Sequence, residues 1–355
     1  MPSDRHTATS LHVSFFAMPD TDVVILKALL QANSNFVSGN LLAGELGISR
    51  VGVWARLEKL REEGFGVEAI RHRGYRLTGE PPAINENLVR AYLELGGSKA
   101  DFIFRREVES TNTEAEKELA DGRKTPFAVL AQRQTKGRGR MGRQWHSMDE
   151  GNLYASFAFR PQLPPAQMTM ITLWMGVQLC RYINERLSLP AQIKWPNDIV
   201  SGGKKLCGIL AEARIDADRT RDLIFGIGIN VNSDCTGWPA ETAAVATSLA
   251  SIGGRPLRIN LVAAELVEVV CRAYDRYVTG DFTPEIFELW NRYDALAGLV
   301  VRGSKGREEI VGTARGIDEH GNLLLALEDG STRRIQAGEV SIGTKNLASF
   351  LPAKN

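Results

Sequence analysis

Residue types that usually announce a chemistry are scarce in this chain. Cysteine occurs four times in 355 residues, at Cys180, Cys207, Cys235 and Cys271, with no C-x-x-C and no Cys/His cluster. That spacing excludes a zinc ribbon and a disulfide framework, and it fits reduced packing thiols in a cytosol. The five histidines fall in no recognisable catalytic setting. No apolar run approaches the roughly 18 residues needed to span a bilayer, so no membrane association is expected and a cytoplasmic location is. The net charge is only +1, from 43 basic and 42 acidic residues. Strong whole-protein attraction for nucleic acid is thereby excluded, and any such site must be a local patch. The first 19 residues lack a clear basic region and an A-x-A site, so a frayed tail is expected rather than a secretory signal, with Met18 as an alternative start.

What is present is an ordinary globular composition, long enough for two or three domains. Residues 22–31 carry apolar groups at helical spacing, and two more helical segments follow at 38–47 and 49–64. Ser38 and Ser49 stand where N-caps belong, and Gly47 and Gly64 where helices stop. The second and third segments form a helix-turn-helix. Two alternating runs around Arg73-Gly74 read as a β-hairpin wing. Residues 20–79 are thus expected to be a winged helix-turn-helix. Such a module serves either DNA or a protein partner. Residues 49–76 carry seven basic and four acidic side chains, a local excess of three that is modest for DNA. On the DNA reading, Arg50 lies nearest base edges, and Arg56, Arg71, Arg73 and Arg76 nearest phosphates. Gly52 weakens the third helix by roughly 1 kcal/mol relative to Ala. The Pro/Gly-containing stretch 78–87 is the linker.

From residue 86 the pattern becomes mixed α and β. Strands are expected at 102–108, 127–135 and 152–159, with a helix starting at Ser110 or Thr111, where helix capping alone explains the residue type. Between the second and third strands runs "QTKGRGRMGRQWHS" (134–147). Gly137, Gly139 and Gly142 have the spacing of a dinucleotide-binding turn, and Gly137 and Gly142 the outer spacing of a P-loop. A dinucleotide turn must lie between a strand and a helix, whereas this loop joins two strands. A P-loop needs Lys-Ser/Thr after its second glycine, whereas Arg143-Gln144 stands here. Two readings remain. One is a flexible cationic loop in which glycines admit an anion and Arg138, Arg140 and Arg143 supply forked donors. The other is a solvated basic turn.

Three further segments bear on that choice. "IKWPNDIV" (193–200) places Lys194 before a rigid Pro196-Asn197-Asp198 turn, which suits phosphate anchoring as well as a surface position. "KKLCGILAEARI" (204–215) reads as a strand holding Gly208. "LIFGIGINVN" (223–232) reads as a strand with Gly226, Gly228 and Asn230 on one parity. Alternate glycines in an apolar strand cost stability and indicate either something lying flat on the backbone or a close crossing in the core. Residues 296–342 show short alternating runs between Gly-rich turns, as in a small antiparallel barrel.

"EVESTN", "GRGRMGRQW", "KWPND", "KLCGIL" and "GIGINVN", in this order, resemble the signatures of the biotin–protein ligase family. With the winged helix the chain resembles that family's bifunctional repressor subgroup, over about residues 22–345. The resemblance implies an α+β protein: the N-terminal winged helix, a central mixed α/β, class II synthetase-like catalytic domain at 86–295, and an SH3-like β-barrel at 296–346. It implies that biotin and MgATP give biotinyl-5′-AMP and pyrophosphate, after which an acceptor lysine takes the biotinyl group. The acceptor would be a biotin carboxyl carrier protein or similar domain. Operator DNA would be a second partner, bound by a homodimer formed with the adenylate as corepressor. Carried over residue by residue, Ser110, Thr111, Asn112 and Gln134 bind biotin, with Gly137, Gly208, Gly226 and Gly228 around it. Arg138 and Arg140 gather carboxylate and phosphates, and Lys194 is the principal electrostatic catalyst. Arg140, Trp145, Lys205, Asn230 and Arg315 would meet ATP or the adenylate. The ligands of the metal are left open. Two departures stand out. Met141 replaces an Arg or Gly, and Ala55 stands where many relatives carry a basic residue. The other implied possibilities are a biotin-sensing regulator without ligase activity and a lipoate-type acyl ligase.

Overall fold

A computed structural model of the chain describes residues 20–145, 147, 151–305, 308–336 and 340–342. The N-terminal tail with Met18, and His146 beside the loop, lie outside the described residues. The chain divides into two compact units at Gly79/Glu80.

In the first unit, α1 (Thr21–Gln31), α2 (Gly39–Leu46) and α3 (Arg50–Glu62) precede a hairpin of β1 (Gly66–Ile70) and β2 (Gly74–Gly79). Ser38 and Ser49 cap α2 and α3 by accepting from the amides of Asn40 and Gly52, which satisfies donors the first helical turn leaves open. Gly47 closes α2 in the left-handed region at φ 63°, where a Cβ would be strained. Ile25, Leu26, Leu29, Leu42, Val53, Leu57 and Leu60 are fully buried, and they are the apolar positions of the helical periodicity.

The second unit opens with α4 (Glu86–Leu95). There follow β3 (Phe102–Val108), α5 (Thr111–Ala120), β4 (Phe127–Gln134), β5 (Leu153–Phe159), α6 (Met168–Arg181), β6 (Gln192–Lys194), β7 (Asp198–Ser201), β8 (Lys204–Asp216) and β9 (Arg219–Ile229). Four helices come next: α7 (Ala240–Val245), α8 (Leu249–Gly253), α9 (Ile259–Val278) and α10 (Thr283–Tyr293). The strands form one sheet in the order β3-β4-β5-β9-β8-β7-β6, with only the β3–β4 pair parallel. Strand residues alternate between faces. Odd-numbered β9 residues (Leu223, Phe225, Ile227, Ile229) join the large core with Trp174 of α6 and Val267 of α9. Even-numbered Ile224 joins a smaller core with Ala115 and Leu119 of α5. Gly226 and Gly228 share that second face.

The chain ends in an antiparallel sheet of β10 (Val300–Lys305), β11 (Glu308–Ile317), β12 (Leu323–Ala326), β13 (Thr332–Ile335) and β14 (Val340–Ile342), ordered β13-β12-β11-β10-β14. Its inner residues Val301, Ala314, Leu323, Leu325 and Ile335 belong to the large core. Trp195 of the KWPND segment donates its indole N–H to the Gly321 carbonyl at 3.0 Å, tying this sheet to the catalytic segment. Among the described residues, no helix is long and apolar enough to cross a membrane.

Candidate active site

The site lies on the α5 face of the sheet, where the glycines leave room. At the start of α5, Ser110 stands at the N-cap position, yet its side chain makes no capping bond. The Thr111 amide donates instead to Gln134 Oε1 at 2.8 Å, and the Thr111 hydroxyl reaches the same oxygen at 3.1 Å. Gln134 Nε2 donates to Ser147 Oγ at 2.9 Å. Ser156 on β5 hydrogen-bonds both Thr111 and Asn112. Ser110, Thr111, Asn112, Gln134, Ser147 and Ser156 are all buried. Capping therefore does not explain Ser110 and Thr111. Thr111 belongs to a buried polar network, which is fixed in place when its members satisfy one another, and Ser110 is buried next to it.

The glycines are explained by what rests on them. A Cβ on Gly226 would stand 2.3 Å from Asn112 Oδ1. Gly208 and Gly228 are register partners on β8 and β9, and a Cβ on either would stand within 2.8 Å of the Trp145 ring. The indole therefore lies flat across a paired-glycine platform, with Lys205 Nζ 5.1 Å from its centroid, a cation–π distance. Its Nε1 is buried without an acceptor.

The basic loop is a tight hairpin between β4 and β5, as the β–loop–β pattern predicts. The Gly139 amide donates to the Arg143 carbonyl at 2.7 Å and the Trp145 amide to the Gly137 carbonyl at 2.9 Å. Met141 turns the tip at φ 56°, where an ordinary side chain costs roughly 1–2 kcal/mol. Arg138 Nη2 reaches Glu212 at 2.9 Å and Glu116 at 3.5 Å, and its Nε is buried without an acceptor. Arg140 donates to Asn197 Oδ1 at 3.1 Å. Asn197 in turn donates to the Ile209 carbonyl at 2.7 Å, so the KWPND turn holds the loop. Lys205 pairs with Asp198 at 2.8 Å.

These groups line a cavity of about 60 Å³, well below the ~300 Å³ at which small-molecule sites begin. Trp145 fills much of the space a ligand needs. The cavity brings together Ser110, Thr111, Asn112, Gln134, Arg138, Arg140, Trp145, Lys205, Gly208, Gly226 and Gly228. Gly137 instead lines the outer side of the loop. Lys194 ends β6, half-buried and in register with Asp198, outside the lining. Asn230 is buried and donates to the Thr247 carbonyl at 3.0 Å, which anchors the segment before α8. Arg315 is exposed on β11, also outside the lining. Sequence reasoning missed Asn197, Ser156 and Glu212 as site residues. For Glu212 a signal existed, because it shares strand parity with Gly208; for Ser156 only the register with Gly226 reveals it. His72 and His320 are exposed in turns, so the described histidines take no part.

In the first unit Arg50 and Arg71 are exposed, with no ion-pair partner among the described residues. Arg73 lies over Phe36 at 4.5 Å. Arg76 pairs with Glu68 and also covers Phe36. Arg56 turns back to Asp22 at 3.6 Å, which draws it away from the outward face.

Fold and site together define a group-transfer ligase unit joined to a winged helix-turn-helix. The signature of the Biotin/lipoate A/B protein ligase family matches residues 104–230, that of an HTH domain residues 24–76, and that of the Biotin protein ligase C terminal domain residues 300–343. The chain is 35% identical over 319 residues to the bifunctional ligase/repressor BirA of Bacillus subtilis, covering 90% of this chain and 98% of that one. It is 29% identical to the BirA protein of Escherichia coli, covering 92% and 98%. The biotin protein ligase from Aquifex aeolicus in complex with biotin and ATP superimposes with TM-score 0.57 at 31% identity, covering 68% of this chain and 98% of that one. The chain belongs to the biotin–protein ligase family, in its bifunctional ligase/repressor branch.

Proposed function

We propose that this chain is an ATP-dependent biotin–protein ligase that also represses transcription. The observation that carries the ligase reading is the junction of a buried amide-and-hydroxyl network with two arginines over a glycine platform. The Asn112–Thr111–Gln134–Ser147 network offers both donors and acceptors, which suits the ureido end of biotin. Arg138 and Arg140 stand where the biotin carboxylate and the ATP phosphates would meet.

A biotin carboxylate oxygen attacks the α-phosphorus of ATP, the bond to the β-phosphate bridging oxygen breaks, and pyrophosphate leaves with biotinyl-5′-AMP formed. An acceptor lysine amine then attacks the carbonyl of that anhydride, AMP leaves and the amine sheds a proton. Both steps depend on positioning and cations more than on a general base. Lys194 is assigned to the developing phosphorane charge, Lys205 and Trp145 to the adenylate, and Arg315 and Asn230 to its outer edge. Among the described residues no group of three acidic, His or Cys side chains could hold a metal. Mg²⁺ would enter with ATP and offset the charge of its phosphates. The functional parts are residues 20–79, 86–295 and 296–346. A biotin carboxyl carrier protein is the proposed acceptor, and four free thiols fit a cytoplasmic protein.

The deciding experiment is ATP–pyrophosphate exchange with biotin and lipoate side by side, in wild type and Lys194→Ala. Exchange is expected with biotin only, falling by about 10²-fold or more in the variant. Absence of exchange with biotin leaves only a sensor, and exchange with lipoate alone makes it a lipoate-type ligase. A two-fold operator requires paired recognition helices, so the adenylate-bound chain is proposed to dimerise. Sedimentation unchanged by biotin and ATP together defeats that part.

A further inference from the structure

The outward face of α3 carries an apolar stripe. Val51 is 74% exposed and Trp54 53% exposed, and Ala55 beside them is exposed as well. Positions 51, 54, 55 and 58 form one helical stripe. The fourth member, Glu58, is paired with Arg61. Large exposed apolar side chains on a small unit mark a contact surface when they cluster.

The polar side chains that would otherwise read bases from this helix are committed elsewhere. Lys59 donates to Asp22 at 3.1 Å and Arg56 stands 3.6 Å from the same carboxylate, which is itself only 2% exposed. Arg61 donates to the Val67 carbonyl through two nitrogens. Arg50, next to the Ser49 cap, is the helix's exposed cation with no ion-pair partner among the described residues. In the same unit the wing cations Arg71 and Arg73 are exposed as well. An apolar stripe that begins beside the exposed Arg50, on the second helix of a helix-turn-helix, matches a major groove, which offers phosphates and base edges to the cation. Its one apolar feature is the thymine 5-methyl group.

We infer that α3 reads its operator chiefly through thymine methyl groups packed against Val51 and Trp54, with Arg50 supplying the single hydrogen-bonding base contact. This rests on the repressor reading above and sharpens it. Specificity comes from shape and methyl burial, and it survives at Ala55 without a basic residue.

The test uses full-length protein with biotin and ATP, and as probe the tightest duplex it selects from a randomised pool. Each thymine of that duplex is replaced singly by deoxyuridine, which removes only the methyl. Binding is followed by fluorescence anisotropy at fixed salt. Wild type is expected to lose about fourfold in affinity at each contacted methyl, the equivalent of one buried methylene. Trp54→Ala is expected to bind the parent duplex more weakly and to show no further loss at the positions facing residue 54. Trp54→Phe, which keeps an apolar face, should retain part of the discrimination. Val51→Ser should abolish it at a different thymine, which keeps the test decisive if Trp54→Ala does not fold. Specific selection with deoxyuridine neutral at every position overturns the inference while leaving the repressor reading standing. Selection of no duplex over a scrambled one overturns both.

Discussion

Both units hold arginines against carboxylates, yet the two arrangements serve opposite ends. In the winged unit Asp22 is nearly inaccessible, and it draws Lys59 and Arg56 of α3 back onto α1. The pairing fixes a helix and clears its outer face. In the ligase unit Arg138 leans on Glu116 and Glu212, which are about a third exposed, and its Nε stays unsatisfied. That pairing holds an arginine in place while leaving it open to a stronger anion. An ion pair on a buried acid is architecture, whereas one on exposed acids beside a cavity can be exchanged for a ligand.

The largest test of this contrast strikes the platform rather than the charges. Gly226→Val thrusts a side chain into Asn112 and so displaces the network proposed to orient biotin. The kcat/KM for pyrophosphate exchange should fall by about 10²-fold while DNA affinity for the scrambled duplex is unchanged. An exchange rate near wild type would mean that Asn112 does not position the substrate. The paired substitutions come next. Asp22→Asn should cost the winged unit about 1 kcal/mol, read by denaturant unfolding, with biotin affinity unaffected. Glu212→Gln should leave stability nearly unchanged and tighten biotin binding by up to about fivefold, read by calorimetry at low salt. The reverse pattern would erase the distinction.

The smallest effects lie in pH dependence, where the two units again differ. Burial pushes the Asp222 carboxyl up, but hydrogen bonds and charge from Arg160 and Arg221 outweigh it and hold it below its ordinary value. Its contribution is present above the unfolded value and is lost as pH falls through the lower folded one. Asp222→Asn should therefore flatten the acid limb of ligase-unit stability below about pH 4. Lys59 is raised by its hydrogen bond to Asp22 and by that carboxylate's charge. Its contribution is present below the unfolded value and fades as pH rises through the folded one, so Asp22→Asn should flatten the alkaline limb above about pH 10.

Much of this was legible before any coordinates. The loop's setting between two strands excluded a dinucleotide turn, and β4 and β5 on either side of it bear that out. The alternating glycines left two readings, a group lying on the backbone or a close crossing in the core, and Trp145 and Asn112 decide for the first. Ser38, Ser49 and Gly47 marked helix ends that hold. Each of these is a local property, readable because cap, turn and strand parity act within a few residues. Ser110 shows the limit: capping was a sufficient local explanation, and the actual partner of the Thr111 amide is Gln134, 23 positions away.

By itself, then, the sequence determined the winged unit, the long strands of the central sheet, the family and the identity of most cavity groups, while the helices α4, α6 and α7 to α10 were not read from it. The tertiary structure decided which charges are spoken for. Arg56 and Arg138 look alike in sequence as basic side chains beside a functional element. Only folding brings Asp22 of α1 under one and Glu212 of β8 beside the other. Ion pairing depends on separations of a few ångströms between segments far apart in the chain, and no local pattern encodes those separations. The same reason set Lys194 outside the cavity lining and Trp145 within it, because the packing of the loop against β8 and β9 chose which aromatic or cationic group stands there.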